Sequence, residues 1–368
     1  MARRVLDKLR AALRALKPGR PYHAQWFVTS RCNYRCRGCD VWLRQSSRPR
    51  ELDADDIKEG LRELEKLGVV ELVITGGNPL LREDIGEIVR EASRRFLTTV
   101  YDNGSLAADK IDELKHADFV AISLDSLRPE LNDYIKGVKG AWGRAVRSIM
   151  VLKEEGLTPV VSAMISQLNL TEIVDFSRYW ASRGVPVIYC LYYYDPFSEG
   201  LFGIGREVDE LAIRDRGLAA KVFAELEALR SKECPLIWVP NRTLRATRLL
   251  FEHGIRTWAC TALSSFIMID ERGRVSGCHC KPPVGSVFEI NDIWDSEELQ
   301  ALRAKNRACR ECMYLCYIFY SQYSTPASMI ALSAEMARSY IALWKSKREP
   351  SRPTPAQPTK RPLATGSG

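Results

Sequence analysis

The sequence predicts an α/β protein with a parallel sheet, because six short apolar runs between residues 24 and 192 alternate with segments of helical periodicity. Parallel neighbours need a crossover between them, and each intervening segment is long enough to supply one. Beyond residue 193 the alternation stops, and six of the eleven cysteines fall between Cys260 and Cys316. A second, smaller Cys-rich unit is predicted there. A βα-barrel and a doubly wound sheet both fit the alternation, and in either the chemistry is expected at the C-terminal ends of the strands.

The first strand is expected at residues 24–29 (AQWFVT), followed by a Cys-rich loop and a helix over 54–67. Ile57, Leu61 and Leu64 share one face of that helix, and Asp53 is its natural N-cap. Further strands are expected at 69–75, 98–101, 119–124, 158–165 and 187–192, with helices over 82–93, 107–116, 141–155 and 170–183 between them. A long helix is expected over 208–231, then two short strands at 267–270 and 275–278 around Glu271-Arg272-Gly273. The domain reading is a basic amphipathic helix over 1–20, a barrel core over 21–200, a helical linker over 201–255, the Cys-rich unit over 256–325 and a C-terminal helix over 326–347. The tail over 348–368 holds five prolines and few apolar residues and is expected to be disordered.

Hydrophobic residues make up 46% and charged residues 27% of the 368, an ordinary globular balance that excludes a collagen-like or disulfide-stapled chain. The net charge of +8 is confined to the ends: residues 1–20 carry +6 and residues 344–368 carry +5, leaving the body at −3. The body therefore lacks the footprint of a nucleic-acid binder. No continuous apolar stretch marks the first 21 residues as a secretory signal, so a cytoplasmic, reducing setting is expected, where clustered cysteines hold metal rather than form disulfides. The uncharged stretch 314–334 is interrupted by Ser-Gln-Tyr-Ser-Thr-Pro and is not expected to span a membrane. Val5, Leu6, Leu9, Leu13 and Leu16 form one face of the N-terminal helix among seven basic residues. It either packs beneath the barrel or makes peripheral contact with an anionic membrane.

Cys32, Cys36 and Cys39 have the spacing Cys-x3-Cys-x2-Cys directly after the first strand. Three thiolates with no fourth nearby suit a structural zinc poorly, since zinc wants four ligands. They suit a four-iron four-sulfur cluster whose fourth iron is open to a small molecule. On this spacing and position the chain resembles the radical S-adenosylmethionine (radical SAM) superfamily over about residues 24–195. The resemblance implies a partial (β/α)6 TIM-like barrel with Cys32, Cys36 and Cys39 as the catalytic cluster's ligands. It also implies that S-adenosylmethionine binds the open iron and is cleaved reductively to a 5′-deoxyadenosyl radical.

Further motifs lie at the expected strand ends. Thr75-Gly76-Gly77-Asn78-Pro79 resembles the family's Gly-Gly-Glu-Pro loop, which implies that the backbone at Gly76, Gly77 and Asn78 receives the methionine amino group. Asp102-Asn103-Gly104 is similar to Thr-Asn-Gly, and Ser123-Leu124-Asp125 matches Ser-Leu-Asp. These imply that Asn103, Ser123 and Asp125 meet the ribose or carboxylate of the cofactor. Two positions depart from the family: Gly38 stands where a bulky residue usually packs on adenine, and Asn78 replaces the acid.

Cys260-x12-Gly273-x4-Cys278 followed by Cys309-x2-Cys312-x3-Cys316 resembles the SPASM and twitch extensions of that superfamily. This implies an auxiliary iron–sulfur cluster held by Cys260, Cys278, Cys309 and Cys312, with two clusters or a zinc site as the alternatives. Cys280 and Cys316 are unassigned, His279 reads as a hairpin residue, and Cys190 and Cys234 read as buried small hydrophobes. Tyr314, Tyr317, Tyr320 and Tyr323, and Tyr192 to Tyr194, form either core or the wall of a substrate pocket. The resemblance implies hydrogen abstraction from a peptide or small molecule, with an electron donor such as ferredoxin or flavodoxin. A lipid or polyprenyl substrate follows if the N-terminal helix lies on a membrane, and a non-catalytic metal-binding scaffold is the reading from another class.

Overall fold

The computed structural model describes residues 19–44, 51–193, 208 and 210–347. Most of the helix expected over 1–20, the tail over 348–368 and Tyr194 lie outside the described residues.

Six strands with helical crossovers follow one another. They are β1 His23–Thr29, β2 Glu71–Gly76, β3 Leu97–Asp102, β4 Phe119–Ser123, β5 Pro159–Ile165 and β6 Val187–Leu191. Each pairs in parallel with the next, Ala24 opposite Leu72 and Trp26 opposite Ile74 across β1 and β2. The helices, in chain order to this point, are α1 Val41–Arg44, α2 Ala54–Leu67, α3 Ile85–Arg95, α4 Ile111–Leu114, α5 Pro129–Lys136, α6 Ala141–Glu154 and α7 Ile173–Ala181. In α2 the Asp53 carboxylate accepts the N–H groups of Asp55 and Asp56, and Gly68 at φ 111° ends the helix. Ile57, Leu61 and Leu64 are buried on its inner face, each worth about 1.5–3 kcal/mol relative to exposure.

Beyond β6 come α8 Arg216–Lys232, α9 Asn241–His253, β7 Phe266–Ile269, β8 Arg274–Ser276 and β9 Gly285–Ser286. They are followed by α10 Ile290–Ile293, α11 Glu297–Ala308, α12 Leu315–Gln322 and α13 Pro326–Ser346. The strand order is β6-β5-β4-β3-β2-β1-β7-β8-β9. β7 lies parallel to β1, with Phe266 opposite His23 and Ile269 opposite Trp26, and β8 and β9 continue antiparallel. The hairpin of the Cys-rich unit thus extends the barrel's own sheet.

Two of the expected helices differ from expectation, and α5 is not among those expected. The helix expected over 107–116 is broken into a 3-10 turn, Ala107–Asp109, and α4 at Lys110, whose backbone (φ −127°, ψ 41°) is not helical, while Asp102 and Ser148 Oγ hold the turn through the N–H groups of Leu106, Ala107 and Ala108. The long helix starts at Arg216 rather than near 208, capped by Asp215, while Leu211 packs inward beneath Tyr192. The arc of six strands does not close: the segment after α8 hydrogen-bonds the free edge of β6 (Val187 N to Leu236 O, 2.9 Å; Trp238 N to Val187 O, 2.8 Å). Side chains of α12 and α13 lie across the lumen.

Candidate functional site

The loop that leaves β1 is anchored before it reaches its first cysteine. Glu51 accepts Thr29 Oγ1 at 2.7 Å and Ser30 N at 2.8 Å. The buried Arg82 donates to Val28 O at 2.8 Å and pairs with Asp84 at 2.6 Å. The end of β2 then locks against the loop, Gly77 N donating to Thr29 O and Asn78 N to Arg31 O. A Cβ on Gly76 would stand 2.2 Å from Thr29 O, and one on Gly77 2.2 Å from Arg31 O, so both glycines are required by backbone packing against the Cys loop.

Cys32, Cys36 and Cys39 lie on the loop after β1 within electrostatic reach of one another, and none is in a disulfide. Burial pushes Cys36 up to about 11 and Cys39 up to about 12, each raised further by its neighbouring thiols. Tyr34 N (3.5 Å) and Asn103 Nδ2 (3.9 Å) donate to Cys32 Sγ. Such thiols ionise when positive charge is supplied beside them, and an all-sulfur donor set with N–H donors aimed at it fits an iron–sulfur cluster. Among the described residues, no three His, Cys, Asp or Glu side chains are arranged to hold one metal ion.

Asn78 is fully buried and its side chain is satisfied within the protein. Its Oδ1 caps the turn at Leu80 N, and its Nδ2 donates to Asp102 Oδ1 at 2.8 Å and to Asn103 Oδ1 at 3.1 Å. Asp102 also accepts the N–H groups of Gly104, Leu106 and Ala107, yet burial still holds its carboxyl above the ordinary range. Asn103 further donates to Asn33 Oδ1 at 2.8 Å, tying the third strand's loop to the Cys loop.

Asp125 is buried, pairs with Lys136 Nζ at 2.8 Å and accepts Met164 N at 2.9 Å. Burial lowers the Lys136 ammonium's affinity for its proton, but Asp125 and Cys36 outweigh it and the net shift is upward. Ser123, at the end of β4, is partly exposed. Gly38 is explained by Tyr192: a Cβ there would stand 2.7 Å from Tyr192 Cε2 and 3.1 Å from Leu211 Cδ1, so an aromatic ring from the end of β6 already fills that space. Lys136 carries no signal in the sequence, whereas Asp102 stands in the Asp-Asn-Gly motif and Tyr192 in the tyrosine run at the end of the sixth strand.

In the second group, Cys260, Cys278, Cys309 and Cys312 act electrostatically on one another. Burial lifts Cys260 to about 11 and Cys312 to about 12. Cys280 hydrogen-bonds Cys278 and holds it below the usual thiol range, so the structure adds Cys280 to this group. Cys316 instead turns into the barrel lumen, where it lines a cavity together with Cys190. His279 Nδ1 meets Tyr317 OH at 2.5 Å, and burial depresses its pKa to about 3, consistent with a neutral core residue. Tyr314 and Tyr317 pack with it, and Tyr193 OH donates to Glu311 O.

A partial parallel barrel with three neighbouring free thiols at the end of its first strand, joined through its sheet to a second thiol group, has the sulfur donors for two iron–sulfur centres. The model of the radical SAM superfamily matches residues 26–176, and that of the SPASM iron–sulfur cluster-binding domain matches residues 260–313. The chain is 26% identical over 292 residues to an AdoMet-dependent heme synthase of Methanosarcina barkeri, covering 74% of this chain and 82% of that one. It is 31% identical to a GTP 3′,8-cyclase of Aquifex aeolicus over 51% of this chain and 59% of the relative. The solved structure of Streptococcus suis SuiB bound to S-adenosylmethionine shares the fold, with a TM-score of 0.61 at 16% identity over 87% of this chain and 76% of that one. The chain belongs to the radical SAM superfamily and carries a C-terminal SPASM auxiliary-cluster domain. It is an enzyme whose cofactors are a 4Fe-4S cluster, S-adenosylmethionine and an auxiliary iron–sulfur cluster.

Proposed function

We propose that the enzyme abstracts a hydrogen atom from a C–H bond of a small-molecule substrate seated in the barrel. In this reading Cys32, Cys36 and Cys39 hold the cofactor-binding cluster, and Cys260, Cys278, Cys309 and Cys312 hold the auxiliary one. The observation that carries it is the set of three neighbouring free thiols on the loop that leaves β1. When bound, the cluster supplies the electron, drawn from a reductant such as ferredoxin or flavodoxin, that breaks the sulfur–C5′ bond of S-adenosylmethionine.

The chain's own residues position the reactants. Asn78 spends its side chain on Leu80 N and Asp102, so the methionine amino group is received by the backbone of Gly76, Gly77 and Asn78. Asn103 holds Cys32 and Asn33 in place, and Ser123 at the end of β4 is the hydroxyl left for the ribose. Asp125, neutralised by Lys136, fixes the β4 and β5 ends rather than binding ligand through its charge. The domain limits follow the barrel at 21–200, the linker at 201–255, the cluster domain at 256–325 and the closing helix at 326–347.

A small molecule is favoured over a peptide by the lumen. SuiB has been solved with its precursor peptide SuiA, whereas the cavity under this chain's mouth is walled by hydrocarbon side chains. An extended peptide there would leave N–H and C=O groups unpaired. The test is the electron paramagnetic resonance spectrum of the reduced, reconstituted protein. S-Adenosylmethionine should perturb one cluster signal in the wild type. A Cys32→Ala/Cys36→Ala/Cys39→Ala variant should lose that response and keep the auxiliary signal. A response that persists in the variant would place the cofactor elsewhere.

A further inference from the structure

Closed eight-stranded barrels fill their interior with side chains. The six-stranded arc here leaves a lumen of about 330 Å³ on the inner face of β2 to β6, roofed by α12 and α13. Its wall is carbon on nearly every side: Val73, Phe119, Val160 and Ile188 from the strands, Phe319 and Met336 from the roof. Of the polar groups along it, Trp238 Nε1 is buried without a hydrogen-bond partner, and others are engaged. Glu71 meets His23 Nδ1 at 2.9 Å, and Tyr101 bonds Ser162. The cavity runs from the N-terminal ends of the strands, at Val70, Leu97 and Phe119, up to Tyr101 and Cys190. Cys190 stands opposite Met164 across β5 and β6, and Asp125 accepts Met164 N at 2.9 Å, so the upper end of the cavity lies at the strand ends that carry the Asp125–Lys136 pair.

The helix that roofs this cavity has an unusual outer face. Ile330, Ile341 and Trp344 are 66%, 54% and 54% exposed, and with Ala334 and Ala337 they recur at helical spacing along one stripe of α13. Tyr340, 48% exposed, lies beside the stripe and also lines the cavity. The exposed cations Arg338, Lys345 and Lys347 border it, and the helix's only acid, Glu335, is paired inward with Arg230. The C-terminal end of α13 sits at the N-terminal end of the barrel, Lys347 Nζ reaching Thr158 Oγ1 at 2.7 Å just before β5. Gly19 and Arg20, the last residues of the strongly basic first twenty, sit just ahead of β1 at that same end, Gly19 O accepting Trp294 Nε1 at 2.9 Å and Arg20 pairing with Asp295 at 2.7 Å.

An apolar stripe without carboxylates, bordered by cations, is the surface that binds an anionic lipid headgroup region and dips into its acyl boundary. We propose that α13 lays the barrel on an anionic membrane and that the lumen beneath it takes the hydrocarbon chain of a lipid, bringing that chain toward the radical site from the N-terminal end. The identity of the reacting bond rests on the radical reading above. The docking and the chain uptake do not.

Both are therefore tested without turnover, on the full chain reconstituted with its clusters. Flotation with vesicles of equal phosphatidylglycerol and phosphatidylcholine should carry the protein, and vesicles of phosphatidylcholine alone should carry much less. An Ile330→Ser/Ile341→Ser/Trp344→Ser variant, altered only at exposed positions, should lose at least tenfold in vesicle affinity while keeping its cluster absorbance. A dansyl-labelled undecanoic acid should bind the wild type saturably in solution. Ser333→Trp, at an exposed position on the rim of the cavity, should weaken that binding at least tenfold, and so should the lumen-filling Thr99→Phe. Vesicle binding unaffected by the triple variant would assign docking to the N-terminal segment and overturn the role of α13. A dimer that the triple variant dissociates, without vesicle binding, would assign the stripe to a second copy instead. Absence of saturable acyl binding, or binding indifferent to both lumen variants, would overturn the lumen as a lipid site.

Discussion

Asn78 and Asp102 show how two departures from a family pattern can be one change. In Gly-Gly-Glu and Thr-Asn-Gly the carboxylate belongs to the first motif; in Gly-Gly-Asn and Asp-Asn-Gly it belongs to the second. The donor and acceptor have traded places, and the 2.8 Å bond between Asn78 Nδ2 and Asp102 Oδ1 records it. Read together the motifs disclose the exchange; read singly, Asn78 looks like a lost charge. Restoring the acid is therefore predicted to harm: Asn78→Glu sets a second carboxylate against a buried one, and removal of the donor alone costs about 1–3 kcal/mol. Chemical denaturation should show the variant less stable than the wild type by at least that amount, and a Glu variant of equal stability would remove this pairing. Lys136 had no signal in the sequence, because a buried lysine in an eight-residue helix resembles a surface one. Its loss is predicted to cost about 3–5 kcal/mol, since Lys136→Met strands the Asp125 charge in the interior. Changing Asp125 to Asn in the same chain should recover much of that loss in the same denaturation experiment.

At the scale of elements, the period of the apolar residues placed every barrel strand and located α2 with its cap. It failed where side chains from elsewhere hold the backbone. The 107–116 helix breaks at Lys110, while Asp102 and Ser148 hold the turn before it through N–H groups, tertiary contacts absent from local pattern. Helix α5 was missed because Pro129–Lys136 is short and follows a turn. The end of β6 explains Gly38, whose missing side chain makes room for Tyr192. Gly38→Phe is accordingly predicted to destabilise the Cys loop by about 1–3 kcal/mol through overpacking, and Tyr192→Ala in the same chain should relieve it. Simple additivity of the two changes in thermal unfolding would show that these positions do not share the space. In the β7–β8 hairpin, Gly273 turns at φ +76°, and a Cβ there would meet Leu52 and Val287 at 3.0 and 3.2 Å. Gly273→Ala should cost at least about 1–2 kcal/mol from the left-handed backbone alone. It should also weaken the auxiliary cluster's spectrum before that of the cluster at β1.

For the whole molecule, the decisive feature is that the two thiol groups share one sheet. β7 pairs with β1, the strand that carries the first cysteine loop, so the Cys-rich unit is joined to the barrel by main-chain hydrogen bonds as well as through the helical linker. Spacing foretold a hairpin and a second cluster, but no local pattern reveals which edge a hairpin joins. The lumen was illegible for the same reason, since it exists only between the inner face of one sheet and two helices far along the chain. No helix among the described residues is long and apolar enough to cross a membrane. The central claim is that the loop at the end of β1 splits S-adenosylmethionine. The direct measurement is 5′-deoxyadenosine formed by the anaerobically reconstituted, chemically reduced protein given S-adenosylmethionine. The account predicts stoichiometric product or more from the wild type and none when Cys32, Cys36 and Cys39 are all changed to Ala. Product that survives the triple substitution, or no product from a wild type with both clusters intact, would contradict it.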